Sequence, residues 1–421
     1  MLRPRFFYGW AIAGVLVIIG FVLATPFNST LSIFLKPMGE ELGWSRTAIS
    51  GAVALGSLLA AAISFCIGPL LDRWGSRVAI SAAVALMGLA VMGLSRCTAL
   101  WHLYLFLGLA RALANGVLDI GIVVTSSNWF IRWRGRVLGM AQLGIRVGQA
   151  LFPLVAALLI ASLDWRNAWV GVGGLAIFLA FLPSVIFLRR RPEDHNLTPD
   201  GLPPPSPTQG DVTATTATEP MWTARQAAGT STFWLLTAAF SLFFLVAAAM
   251  NLHQYPYLTD IGIDPGVAVG ALSTFFISAA VGALLLGSLA DRFPVKVLLG
   301  TVQAGAALGI FMLILTRGPA MLYAYAVFYG ICFGGSFPLF SLAFVRHYGR
   351  ASAGSIRGLY WPLCMVFNAI GPVFAGWMFD RMGNYNLVFT IFCIMFLVGS
   401  TLVWLSRAPT SFPSPSPSPQ N

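Results

Sequence analysis

Twelve apolar stretches, each about as long as a bilayer-spanning helix, set the limits on what this chain can become. A helix needs about 20 mostly apolar residues to cross the hydrocarbon core. Stretches of that kind cover 9–35, 47–71, 78–95, 101–129, 137–161, 167–188, 231–257, 266–290, 296–316, 320–345, 352–378 and 385–406. None shows the alternating ten-residue pattern of a membrane barrel, so the spans are helical. The first is too long for a secretory signal and lacks a small-residue cleavage site, so it counts as structure. Of 421 residues, 57% are hydrophobic and 9% are charged, too few charges to cover a soluble protein of this size. The reading is an all-α membrane protein.

Charge orients the spans. The formal net charge is +11, and no compact basic stripe points to nucleic acid. With both termini placed in the cytoplasm, 16 of the 25 Lys and Arg residues fall in cytoplasmic segments and 6 in outer ones, as the positive-inside rule requires. Five cysteines and four histidines are scattered, without a paired-cysteine or His cluster that holds a metal. No Walker A loop, HExxH or GxSxG is present, so neither an enzyme nor an ATP-driven pump is expected from this chain, and no cofactor.

The chain divides in the middle. Residues 190–230 are rich in Pro, Thr and Ser and read as a flexible cytoplasmic linker. They separate an N-terminal six-helix bundle, 1–189, from a C-terminal one, 231–407. A Ser-Pro tail, 408–421, reads as disordered. The halves repeat each other. Gly68-Pro69-Leu70-Leu71-Asp72-Arg73-Trp74-Gly75-Ser76-Arg77 follows the second span, and Gly287-Ser288-Leu289-Ala290-Asp291-Arg292-Phe293-Pro294-Val295-Lys296 follows the eighth. Parallel six-span repeats with a binding site at their interface are a transporter arrangement.

These residues resemble the loop signature of the major facilitator superfamily, close to G-x-L-a-D-R-x-G-r-[RK] between helices 2 and 3. The second copy lacks the later Gly and has Pro294 near that place. The resemblance implies twelve helices in two pseudo-symmetric bundles working by alternating access. It also implies that Asp72 latches the cytoplasmic side in the outward-open state, with Arg136 as a possible partner. Gly68, Arg73, Gly75, Arg77, Asp291 and Arg292 complete this gating motif. On physical grounds, Gly75 permits the sharp reversal that the loop needs.

Two shorter tags, Phe7-Tyr8-Gly9-Trp10 and Gly43-Trp44-Ser45-Arg46, are similar to the bacterial monocarboxylate-transporter and oxalate/formate-antiporter branch. That resemblance implies small organic anions, moved with a proton or exchanged, across a bacterial inner membrane. Many members carry a basic residue in helix 8, whereas residues 266–290 here contain no Lys, Arg or His.

Charges sunk in the membrane are costly and mark functional sites. The mid-span ones are Asp119, Arg111 and Arg146. Arg111, Asn115 and Asp119 fall at i, i+4 and i+8, a polar stripe drifting by about 80° along one helix face. Arg111 either binds or couples, or ties its helix to its neighbours. Asp119 lies ten residues and Arg146 nine from the cytoplasmic ends of adjacent antiparallel spans, about 14–15 Å deep in each case. An Asp119–Arg146 ion pair is expected in at least one conformation, either as a permanent structural pair or as one that a substrate anion and a proton contest. Gly139, Gly144 and Gly148 near Arg146 favour close helix packing.

Other cavity candidates are Asn28 behind the Thr25-Pro26 break, His253 near the outer end of the seventh span, and Tyr329, Trp361 and Asn368. A lone histidine such as His253 is more often a hydrogen-bonded spacer, and aromatic residues of this kind are more often packing. The expected protein is a monomeric secondary transporter of a small organic anion in the lipid bilayer, with protons as a partner. The rivals are an exporter of amphipathic or cationic compounds and a non-transporting receptor.

Overall fold

The computed structural model describes residues 7–130, 133–190, 192, 194, 197–198, 222–290, 292–349 and 353–407, with the side chains at 64–74, 134–135 and 353–355 outside that description. Among the described residues there is no β-strand. Eleven helices are long and apolar enough to span a membrane, and a shorter apolar one, Gly9–Val22, joins them.

The first span is broken. Helix α1 (Gly9–Val22) ends before Pro26, and α2 (Asn28–Leu42) resumes beyond it. Proline removes an amide donor and clashes with the preceding turn. The gap therefore leaves main-chain carbonyls to be met by side chains, as Thr30 Oγ1 meets Ala24 O at 2.8 Å. Helix α3 (Arg46–Gly93) contains the second and third spans, joined at Gly75, which has φ +78° and ψ 153°. That backbone region is open to glycine at little cost, so the expected role of Gly75 is met by geometry.

The fourth span is also irregular. Helix α4 (Leu100–Leu113) passes through a π-turn, Ala114–Leu118, into α5 (Asp119–Trp129). The wider turn advances fewer degrees per residue. It therefore brings Asp119 closer to the meridian of Arg111 than an unbroken α-helix would. Helices α6 (Arg134–Ser162) and α7 (Trp165–Phe187) complete the first bundle. A side chain at Gly144 or Gly148 would run into the α1 carbonyls of Val17 or Phe21; this close approach is what the small-residue spacing implied.

One expectation needs correction. Residues 224–230 fall in the stretch read as flexible linker, yet Ala224–Ala228 forms a short helix, α8. Thr223 and Gln226 close a reciprocal capping box. Ala227 is buried, and Trp222 meets the ring of Tyr348 edge-on at 5.8 Å. Hydrophobic anchoring and a good cap outweigh the polar composition of the segment.

The second bundle contains α9 (Ser231–Asp260), α10 (Pro265–Leu289), α11 (Val295–Ile314), α12 (Pro319–Tyr348), α13 (Ala353–Met382) and α14 (Asn386–Leu405). Asp264 accepts from the amides of Gly266 and Val267 to start α10, and Pro265 sits at the first turn, where no amide is needed. The bundle core is strongly aromatic. Phe240, Phe243, Phe333 and Phe340 are buried against one another.

Candidate functional site

Three spans converge on Arg111. Its Nη1 donates to Pro26 O and to Asn28 Oδ1, both at 2.9 Å, and its Nη2 donates to Ser57 Oγ at 3.3 Å. The side chain is buried, and Nε has no partner. Asn28 also donates from Nδ2 to Ala248 O of α9 at 3.0 Å. The chain Arg111–Asn28–Ala248 thus crosses from one bundle to the other. Buried helix breaks leave acceptors that must be satisfied; here the Pro26 break supplies one and the guanidinium fills it. Asn115, on the π-turn, is half-buried and has no hydrogen-bond partner among the described residues.

The expected Asp119–Arg146 pair is not formed in this conformation. Arg146 is half-buried, donates to Gln149 Oε1 at 3.0 Å, and lies 5.1 Å from the ring centre of Phe337 and 5.7 Å from that of Phe333. Among the described residues Asp119 has no cation within 4.0 Å, and Arg357 stands at the start of α13. Equal depth along two antiparallel helices did not bring the groups together here, because Arg146 lies against the Phe333 and Phe337 rings of α12. Arg357 is exposed and stacks 4.4 Å over the ring of Trp361. Trp361 is half-buried and meets Phe244 edge-on at 5.4 Å. Asn368 is half-buried on α13 and has no hydrogen-bond partner among the described residues.

Tyr329 lies elsewhere. It is buried inside the second bundle, stacked between Phe275 at 5.3 Å and Tyr325 at 5.5 Å, with its hydroxyl unpartnered. It packs the aromatic core.

His253 is fully buried at the seam between the bundles, in the last two turns of α9. Its Nδ1 shares a hydrogen bond with Tyr385 Oη at 2.8 Å, and its Nε2 faces Pro372 O at 2.9 Å and Ser50 Oγ of the first bundle at 3.3 Å. It belongs to a network that sequence reasoning missed. Arg46 donates to Asp260 Oδ2 and to Tyr385 Oη, both at 2.7 Å, and lies 3.6 Å over the ring of Phe379. Asp380 of α13 accepts from the amides of Arg46 and Thr47 and from the Thr47 hydroxyl. A carboxylate at a helix N-terminus is favoured by the exposed amides and the helix dipole. Lys36 reaches Asp260 at 3.5 Å. The available signal was Arg46 itself, within the Gly-Trp-Ser-Arg tag.

These cross-bundle bonds, with Ser273 Oγ donating to Ala150 O at 2.6 Å, lie in the half of the molecule remote from the termini. Toward the termini, Arg357 shares a cavity at the end of α12 and the start of α13 with Phe344, Ile356 and Tyr360. Of the gating motif, Asp291 and the side chains at Gly68, Asp72 and Arg73 lie outside the described residues. Arg77 and Arg292 are exposed. Arg136 is exposed and stacks 4.2 Å over Trp133.

Two six-helix bundles, tied to each other by cross-bundle hydrogen bonds and carrying guanidinium groups within their spanning helices, define a membrane carrier. The chain belongs to the Major Facilitator Superfamily, whose family model matches residues 16–366. It is similar to human monocarboxylate transporter 11, with 25% identity over 420 residues, covering 95% of this chain and 83% of that protein. Rat monocarboxylate transporter 13 is 25% identical over 369 residues, 87% of this chain and 79% of that one. Both relatives are animal proteins and lend nothing to the bacterial membrane that the sequence tags implied. Among solved structures, the fold is similar to the nucleoside transporter NupG, with a TM-score of 0.73, 12% identity, and coverage of 94% of this chain and 99% of that one. A bacterial homolog of the human lysosomal transporter Spinster, inward-facing and unoccupied, gives a TM-score of 0.68 at 17% identity, with coverage of 96% and 95%. The protein is a multi-pass transporter of this superfamily and not an enzyme.

Proposed function

We propose that this transporter moves a small organic anion of the monocarboxylate kind by alternating access, in symport with a proton or by exchange, as a monomer. One observation carries the reading. Arg111 and Arg146 stand within spanning helices and, among the described residues, neither has a carboxylate within 4.0 Å. Charge in a low-dielectric interior interacts strongly with an opposite charge, so a guanidinium held by neutral acceptors favours anionic cargo. The Phe333 and Phe337 rings beside Arg146 suit the apolar body of such an acid. The names of the relatives support the same class.

Asp119 is the proton-coupling group in this proposal. As a carboxylate it competes with the substrate for a nearby guanidinium, and a proton removes the competition. The excess of Lys and Arg on the termini side makes that side cytoplasmic. The Arg46 network then ties the bundles together at the outer face.

The test is uptake of radiolabelled pyruvate into proteoliposomes with an acid-outside gradient. Wild type accumulates the label, and Asp119→Asn loses pH-driven accumulation while keeping pyruvate–pyruvate exchange. Coupling to the gradient that persists in Asp119→Asn removes that residue from the mechanism. Accumulation of a lipophilic cation, with no carboxylate moved, overturns the anion reading.

A further inference from the structure

We propose that Arg357 forms a second anion-binding station in a cavity between the end of α12 and the start of α13, from which a carboxylate passes along an aromatic strip to Arg146. The inference rests on the anion reading above and adds to it a binding residue from the second bundle, whose helix 8 supplies no base.

The first observation is a cavity. A space of about 250 Å³ opens at the termini side between the end of α12 and the start of α13, with Phe344, Ile356, Arg357 and Tyr360 in its wall. Its aromatic floor is fixed, because Phe344 and Tyr360 stack at 4.1 Å with 12° between their planes. Among the described residues Arg357 is the charged one in that lining, and it has no carboxylate within 4.0 Å. A fixed cation beside stacked rings fits an acid with an apolar body.

The second observation is continuity. The Arg357 guanidinium lies 4.4 Å over Trp361. Trp361 meets Phe244 edge-on at 5.4 Å, and Phe244 meets Phe337 edge-on at 5.7 Å. The Phe337 ring then holds the Arg146 guanidinium at 5.1 Å. The two guanidiniums are thus the ends of one unbroken row of ring contacts. Arg357 stands on the second bundle and Arg146 on the first, so a carboxylate moving between them changes bundles. Asp119, the proton-coupling carboxylate of the reading above, is assigned as the internal competitor for this station.

The experiment measures initial rates of radiolabelled benzoate and pyruvate uptake in proteoliposomes holding the full chain inserted so that the termini side faces the label. The variants are Arg357→Gln, Arg357→Lys, Arg146→Gln, Asp119→Asn and the double variant Asp119→Asn with Arg357→Gln. Arg357→Gln should raise KM about tenfold with little change in kcat, the pattern of a lost binding contact rather than a lost transition-state contact. Arg357→Lys should recover most of the affinity. Asp119→Asn should lower KM, and that gain should vanish in the double variant, which is the signature of coupled residues. Equal KM for wild type and Arg357→Gln, with Arg146→Gln impaired, overturns the station and leaves the anion reading standing. No uptake of either acid by wild type overturns both. A thermal-melting comparison of each variant with wild type separates lost binding from lost folding. A shift of the Arg357→Gln melting point by benzoate equal to that of wild type also counts against the station.

Discussion

Arg111 is held by three oxygens from two other spanning segments. Removing it orphans the Pro26 carbonyl and the Asn28 amide oxygen, and each orphaned buried acceptor costs about 1–3 kcal/mol. Arg111→Ala should therefore lower the thermal-melting temperature in detergent. Arg111→Lys should lower it less, since an ammonium can still reach one acceptor. Equal melting temperatures for the three proteins would contradict this account. At the far surface, Glu41 accepts from Trp165 and Arg166. These bonds hold its carboxyl below the ordinary value of 4.5. A lowered folded-state pKa gives stability that is complete above the unfolded value and fades as pH falls through the folded one. Below pH 4.5 wild type should thus lose more stability than Glu41→Gln, as read by melting curves across pH. The mid-span charge of Arg111 was visible in the sequence. Its partners were not, because Pro26 and Asn28 lie 85 and 83 residues away, and no local pattern encodes such a meeting.

Most helices follow from apolar length, and the departures have local causes. Pro26 announces the break between α1 and α2. The π-turn at Ala114–Leu118 has no such marker. It draws Asp119 back toward the meridian of Arg111, reducing the drift of about 80° that an unbroken α-helix gives the polar stripe. The Asp119–Arg146 pair, expected in at least one conformation, is absent from this one, since depth along a helix says nothing about the direction in which a side chain points. The glycine spacing in α6 was sounder. Gly148 lies where a side chain would strike the Phe21 carbonyl, and overpacking of this kind typically costs about 1–3 kcal/mol. Gly148→Leu should push α1 from α6 and lower the melting temperature, while Leu at Gly139, which has open space around it, should leave it unchanged. Comparable losses at both positions would show that backbone approach is not the reason for the spacing.

The division into two halves was legible in the repeated Asp-Arg loops, because duplication is written in the chain order itself. The seam between the halves was not, since it joins residues more than 200 and more than 300 positions apart, such as Arg46 with Asp260 and with Tyr385. That seam sets the conformational balance of the whole protein. Spin labels at exposed Leu163 and Asn386 report the separation of the bundles at the closed end. Arg46→Gln should add a longer-distance population to that measurement, because a state favoured by a partly buried charge network loses its advantage when one member goes. A distribution identical to wild type would place the balance elsewhere.

Asp380 finishes the first turn of α3 although it stands in the opposite bundle. A helix start completed in this way stays whole only while the halves touch. Whenever they part, its bare amides face the surrounding solution, and dissolved anions on that side become competitors for the vacated seat. The carrier's readiness to close again is thereby tied to the salt around it as well as to its cargo.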